Sequence, residues 1–237
     1  MNNFELVWHS WVDRLAKAKK PIIFGVIAVA LIGFGILGYF ELQKSRTLAA
    51  HKAFVSALKF FEAPLKSEGK RVGFQDVVFD TTEEKWKRTA EVFDQGYKNH
   101  ASSSLAGLFL AYKSQALLNL GKHEEAIAAL AAGVDLLPRD LKEGYELKLA
   151  LLKIDSQNEI FQKSGLDLLT HIAMDEKNHV QDAALYHLGL QFFVKKQFDQ
   201  AQNYWGQLKL KYGKEQDSDK QSVWAEKAAE KLALIEA

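Results

Sequence analysis

The chain is 237 residues long and 48% apolar, and its 31 basic and 30 acidic residues leave a formal net charge of +1. That near-balance lacks the clustered basic surplus of a nucleic-acid binder, and the absence of cysteine excludes disulfide scaffolds, zinc ribbons and thiol nucleophiles. Only three prolines occur, Pro21, Pro64 and Pro138, each where the pattern changes; with apolar periods near 3.6 residues elsewhere, the sequence predicts an all-α protein.

The N-terminal tail, residues 1–20, places Phe4, Trp8, Trp11 and Leu15 on one helical face and ends in Arg14, Lys17, Lys19 and Lys20. A segment lying in a membrane interface would have this pattern, and an unstructured tail fits it equally. Residues 21–40, "PIIFGVIAVALIGFGILGYF", contain no charge. Twenty helical residues span roughly 30 Å, the thickness of a bilayer's hydrocarbon core, so a transmembrane helix is expected here. A cleaved signal peptide is the alternative. The run is long for one, and the nearest small-residue site, "TLAA" at 47–50, lies beyond Lys44 and Arg46. The denser basic flank on the N-terminal side favours that tail in the cytoplasm and the remainder outside, on the far side of the membrane. Gly25, Gly33, Gly35 and Gly38 include no pair four apart, so the small-xxx-small association signal is missing.

Residues 41–82 divide into a stalk helix and an insertion. Ala50, Phe54, Ala57, Leu58 and Phe61 form an apolar stripe, and no Gly or Pro interrupts 39–61. Residues 62–82 carry turn residues without a helical period.

Residues 83–237 show repeats. In 107–138, Leu110, Leu117, Gly121, Ala126, Leu130 and Pro138 fall at tetratricopeptide offsets. Ala126 must be small where two helices cross, Gly121 opens their turn and Pro138 stops the second. In 185–213 the same offsets are held by Leu185, Leu188, Gly189, Phe192, Phe198, Ala201 and Trp205. The 75 residues between Ala126 and Ala201 leave room for one degenerate hairpin at 145–175, with Leu149 and Leu152 on its first helix and Gly165, Leu169 and Ile172 on its second. Upstream, Trp86, Ala90, Phe93 and Tyr97 mark the second helix of a first repeat, whose partner is the stalk stripe. Trp224, Ala228, Leu232 and Ile235 predict a terminal capping helix. The expected fold is therefore an N-terminal transmembrane helix followed by a tetratricopeptide-like right-handed helical solenoid and a C-terminal cap.

No catalytic constellation emerges. The seven histidines are scattered, no pair has the i, i+4 spacing of a helical zinc site, and no Gly-rich loop cradles phosphate. His123, at the repeat turn, is expected to pack structurally. Neither an enzyme nor a cofactor or metal site is expected. What remains is protein binding. Once the stacking positions of 185–194 are assigned, Tyr186, Leu190, Phe193 and Val194 remain apolar on a second face, either as a groove for a protein partner or as core beneath the cap. Repeats that dock chaperone C-termini carry Lys and Asn in the groove; Ala111, Gln115, Tyr186 and Leu190 stand at comparable positions, which favours apolar or unfolded polypeptide segments.

The short charged tail, the single anchor, the helix "AHKAFVSAL" and the stretch "YKNHASSSLAGLFLAYKSQALLNLGKHEEAIAAL" together resemble the ancillary subunit of the bacterial SecYEG translocon and its relatives, single-span inner-membrane proteins with a periplasmic tetratricopeptide domain. The resemblance runs to about residue 210; the 62–82 insertion and the charged terminal segment depart from it. It implies contact with the translocon, with a periplasmic chaperone or with emerging polypeptide. A scaffold for another envelope assembly machine is the alternative, and removal of the apolar segment would leave a soluble adaptor.

Overall fold

The computed structural model describes residues 44–68, 77–213 and 222–236. The chain divides into two compact units, 1–49 and 50–237. Of the first, only 44–49 is described, and it is helical. The expected cytoplasmic tail and the expected membrane helix at 21–40 lie outside the described residues. No described helix is long and apolar enough to cross a membrane.

The second unit is all-helical over its described residues: α1 (50–62), α2 (Thr82–Asn99), α3 (Ala106–Asn119), α4 (His123–Val134), α5 (Arg139–Ile154), α6 (Glu159–Met174), α7 (Gln181–Val194), α8 (Phe198–Tyr212) and α9 (Val223–Glu236). The helix starts follow local chemistry. The Thr81 hydroxyl accepts from the Glu84 amide at 3.1 Å while the Glu84 carboxylate accepts from the Asp80 amide at 3.3 Å, a reciprocal cap on α2. The Asn158 side chain accepts from the Ile160 amide at the start of α6, and Pro138 precedes α5 with φ −54°.

Each helix packs on the next in the chain, and the hairpins form by close approach. Ala126 and Ala201 are fully buried and Ala90 is buried, as the crossings demand. The Ser114 hydroxyl, itself buried, donates to the Ala126 carbonyl at 2.8 Å across the α3–α4 crossing. In the degenerate middle hairpin Gly165 does the same work: a Cβ there would sit 2.7 Å from the Ala150 carbonyl oxygen of α5. In the last hairpin Gly189 faces the fully buried Trp205.

The 75-residue offset recurs in the backbone. The Lys122 amide donates to the Leu117 carbonyl and the Gly121 amide to that of Leu118; Gln197 donates to Phe192 and Lys196 to Phe193. Both turns are the paired 6→1 and 5→2 arrangement that ends a helix through one left-handed residue. That residue is Gly121 with φ 73° in the first turn and Lys196 with φ 59° in the second.

Among the described residues three apolar clusters run along the unit. The first joins α1, α2 and α3, where Phe54 meets Phe93, Phe109 and Tyr112 at centroid distances of 5.7, 5.2 and 5.3 Å, all edge-on. The second is built on Leu117, Ile127, Leu130, Leu149 and Leu152, and the third on Leu169, Leu185, Leu188, Trp205 and Leu208. The stretch between α1 and α2 is tied at its base. Lys66 and Phe79 exchange backbone hydrogen bonds with Phe79 and Pro64 as an isolated bridge, and Ala63 and Phe79 are buried.

Candidate functional site

Helix α7 is apolar all round because three elements compete for it. Ala184, Leu185, Leu188 and Gly189 are buried within the cluster shared by α6, α7 and α8. The second face carries the four residues singled out above, and the structure grades them along the helix. Tyr186 is only 9% exposed; its ring lies 5.1 Å from Trp224 of α9 and 6.3 Å from Trp205 of α8, and its carbonyl accepts from the Trp205 indole at 3.0 Å. Tyr186 is thus part of the core beneath α9 rather than an open surface. Leu190 and Phe193 are half-buried against the same cluster, with the Phe193 ring 5.6 Å from Trp205 and 5.5 Å from Phe198. Val194 is 71% exposed and Phe198 43%. The accessible apolar surface therefore sits at the α7–α8 turn, where Phe193, Val194 and Phe198 come together.

Two polar residues opening α7 decide why the cap covers only one end of that face. The buried Gln181 side chain donates to the Ala173 carbonyl and accepts from both the Lys211 ammonium and the Tyr212 hydroxyl at 2.7 Å, tying the ends of α6 and α8 to the start of α7. Asp182 accepts from the Ser222 hydroxyl, and Ser222 in turn accepts from the Trp224 amide. The start of α9 is thereby fixed at the start of α7. Burial, with the Asp182 and Glu176 charges added, raises the Tyr212 phenol above its ordinary value.

His187 completes the α7–α9 contact. Its ring lies 5.2 Å from Trp224, and burial, reinforced by the Lys227 charge and opposed by Asp155, holds its pKa below the usual imidazole value. The sequence pattern singled out neither Gln181, Asp182 nor His187; a polar pair immediately before an apolar helix was the available signal. His123, expected to pack at its turn, is instead exposed at the first position of α4, because that first turn points to solvent and Ala126 and Ile127 take the buried face. Among the described residues no group of three or more His, Asp or Glu side chains is placed to hold a metal ion.

Over the described residues the geometry defines a class of architecture: all-helical, consecutively packed hairpins, closed at one end by a helix and leaving an apolar turn uncovered. Comparison with known protein families, with curated proteins and with solved structures found no match.

Proposed function

We propose that the chain is a membrane-anchored protein-interaction module. In this reading residues 21–40 hold it in the bacterial inner membrane with its N-terminus cytoplasmic. The hairpins form a right-handed tetratricopeptide-like solenoid on the periplasmic side. The uncovered apolar surface takes up polypeptide segments at the Sec translocon or in hand-over to a chaperone.

The observation that carries this reading is the continuity of Leu190 and Phe193, half-buried, with Val194 and Phe198, exposed, at the end of the last hairpin. A contiguous apolar edge on a rigid helical scaffold is suited to capturing apolar side chains of an extended or partly folded chain. The repeats supply the rigidity, since each hairpin buries its apolar face only against its neighbours.

A photo-reactive residue at Val194 in the full chain, with the bilayer intact, tests the proposal. Many transient unfolded crosslinks support a translocation helper. One stoichiometric folded partner supports the envelope-scaffold alternative. No crosslink at Val194, alongside crosslinks from other faces, refutes this surface. The anchor is tested separately: the mature mass in the membrane fraction must retain residues 21–40.

A further inference from the structure

Helix α9 covers the start of α7 through a seam whose charge can change. His187 of α7 is half-buried, and its ring lies 5.2 Å from the Trp224 ring of α9. The Lys227 ammonium stands over the same indole, 4.4 Å from its centre. One aromatic ring is thus flanked by a fixed cation and by a group that becomes a cation in mild acid. Lys227 is the charge that acts on the imidazole from α9, and Asp155, which ends α5, is the one that acts from the other side. Among the described residues α6 and α8 direct no charge at it.

The packing decides which side of the seam gives way. Helix α7 lies between α6 and α8, with Ala184, Leu185, Leu188 and Gly189 buried there. Helix α9 is the last in the chain and rests on α7 and α8. Its enclosed positions are the small residues Ala225 and Ala228, while Trp224, Leu232 and Ile235 are only partly buried. An alanine methyl removes far less apolar area from water than a leucine or phenylalanine side chain, so the hold on α9 is weak. A terminal helix with few large buried side chains belongs to the part of a fold that opens first. Ser222 supplies the pivot: its amide donates to the Tyr212 carbonyl at 3.1 Å and its hydroxyl to Asp182.

We propose that α9 is an acid-released cap: a proton on His187 frees α9 to swing about Ser222 and opens one apolar strip on α7, from Tyr186 through Leu190 and Phe193 to Val194. An imidazolium beneath Trp224 gives up part of its hydration and shares the indole with Lys227. Outward movement of α9 restores the water and separates the two cations. Burial first, and the Lys227 charge second, favour the neutral ring in the closed form, against the opposing Asp155. The closed-form pKa lies below the open-form value, so closure is complete above the ordinary imidazole range and weakens as pH falls through it. The use of the strip by client polypeptide rests on the binding role proposed above; the release of α9 does not.

Hydrogen exchange of the full chain in detergent measures the release, read by mass spectrometry at about pH 7.5 and about pH 5.5 and corrected for the intrinsic exchange rate. Protection over Val223–Glu236 falls several-fold in acid, while residues 106–134 keep theirs. His187→Gln removes the fall. Lys227→Gln makes it smaller, because the closed form then resists the proton less, and Asp155→Asn makes it larger. General destabilisation does not produce that pair of opposite effects. The proposal is overturned if α9 of the parent is equally protected at both pH values, or if H187Q still loses protection in acid. It is also overturned if the two charge variants move the response in the same direction, or if the hairpins lose protection together with α9. Exchange needs no client, so absence of crosslinks at Val194 counts against the binding role alone, and a cap that stays closed in acid counts against the release alone.

Discussion

Gly189→Ala isolates the close approach on which the last hairpin depends. An ideal Cβ at that position would lie 2.5 Å from Cδ1 and 2.7 Å from Cε2 of Trp205, and closer still to its indole nitrogen. The indole cannot easily yield, since it is fully buried and its N–H donates to the Tyr186 carbonyl at 3.0 Å. Overpacking a filled core costs about 1–3 kcal/mol, and a buried carbonyl losing its donor adds about 1–3 kcal/mol. Against this, Ala is favoured over Gly inside a helix by about 1 kcal/mol. The net expectation is destabilisation by about 1–5 kcal/mol, or roughly 2–20 °C in melting temperature for a domain of this size. Gly206→Ala is the internal control, beyond α7 and inside α8, where a Cβ would meet nothing within 4 Å; propensity alone then raises stability by up to about 1 kcal/mol. Urea and thermal unfolding followed by far-ultraviolet circular dichroism measure both variants, and Trp fluorescence reports the displaced indole. If G189A proves as stable as the parent, or if the two substitutions shift stability in the same direction, the steric account of this hairpin is wrong.

The turn after α7 allows the opposite experiment. Lys196→Gly relieves a left-handed backbone that the matching turn assigns to Gly121, and it is expected to raise the melting temperature by about 1–3 °C, corresponding to about 0.5–1 kcal/mol. Ser222→Ala removes the hydroxyl that joins Asp182 to the Trp224 amide; it should loosen α9, seen as faster proteolysis at the C-terminal end with the hairpins still protected. His187 makes stability pH-dependent. Its folded pKa is held below the unfolded value, so its contribution is complete above about pH 6.5 and declines as pH falls below that, when the unfolded imidazole takes a proton that the folded one resists. Replacing His187 with Gln should flatten that part of the pH profile of the melting temperature; an unchanged profile refutes the assignment. Val194→Glu should abolish crosslinks of the neighbouring Phe198 to clients while unfolding as the parent does, because the position is 71% exposed.

The hairpins of α3–α4 and α7–α8 could be read from the sequence because a crossing imposes a size limit on single positions, and size is written directly in residue type. Ala126 and Ala201 are both fully buried for that reason. The middle hairpin was harder to place because Gly165 performs the same task without flanking aromatics, so only its spacing marks it. The left-handed turn at Lys196 gave no signal, since the residue type there opposes the conformation that the surrounding hydrogen bonds impose. Lys148 shows a different limit. It lies in the stripe Leu141, Tyr145, Lys148 and Leu152, and a charge inside an apolar stripe marks a half-buried ion, but only the Gln115 side chain of α3 opposite reveals that its partner is an amide.

The division of the second face of α7 between core and open edge was not legible, and the cause is topological. Periodicity says that Tyr186, Leu190, Phe193 and Val194 share a face, but not how far a later helix reaches along it. That reach is fixed by the bond between Asp182 and Ser222, forty residues apart, which starts α9 beside the beginning of α7. Trp224 then falls over Tyr186 and His187, while Leu232 and Ile235 join the cluster that α8 shares. Covering Val194 as well would require α9 to follow α7 to its end. Full burial of a valine is worth about 1.5–3 kcal/mol, most of which the 71% exposure at Val194 forgoes. Under the proposed binding role, that uncovered edge is where another polypeptide would be captured, and the cap has to stop short of Val194 to leave it open.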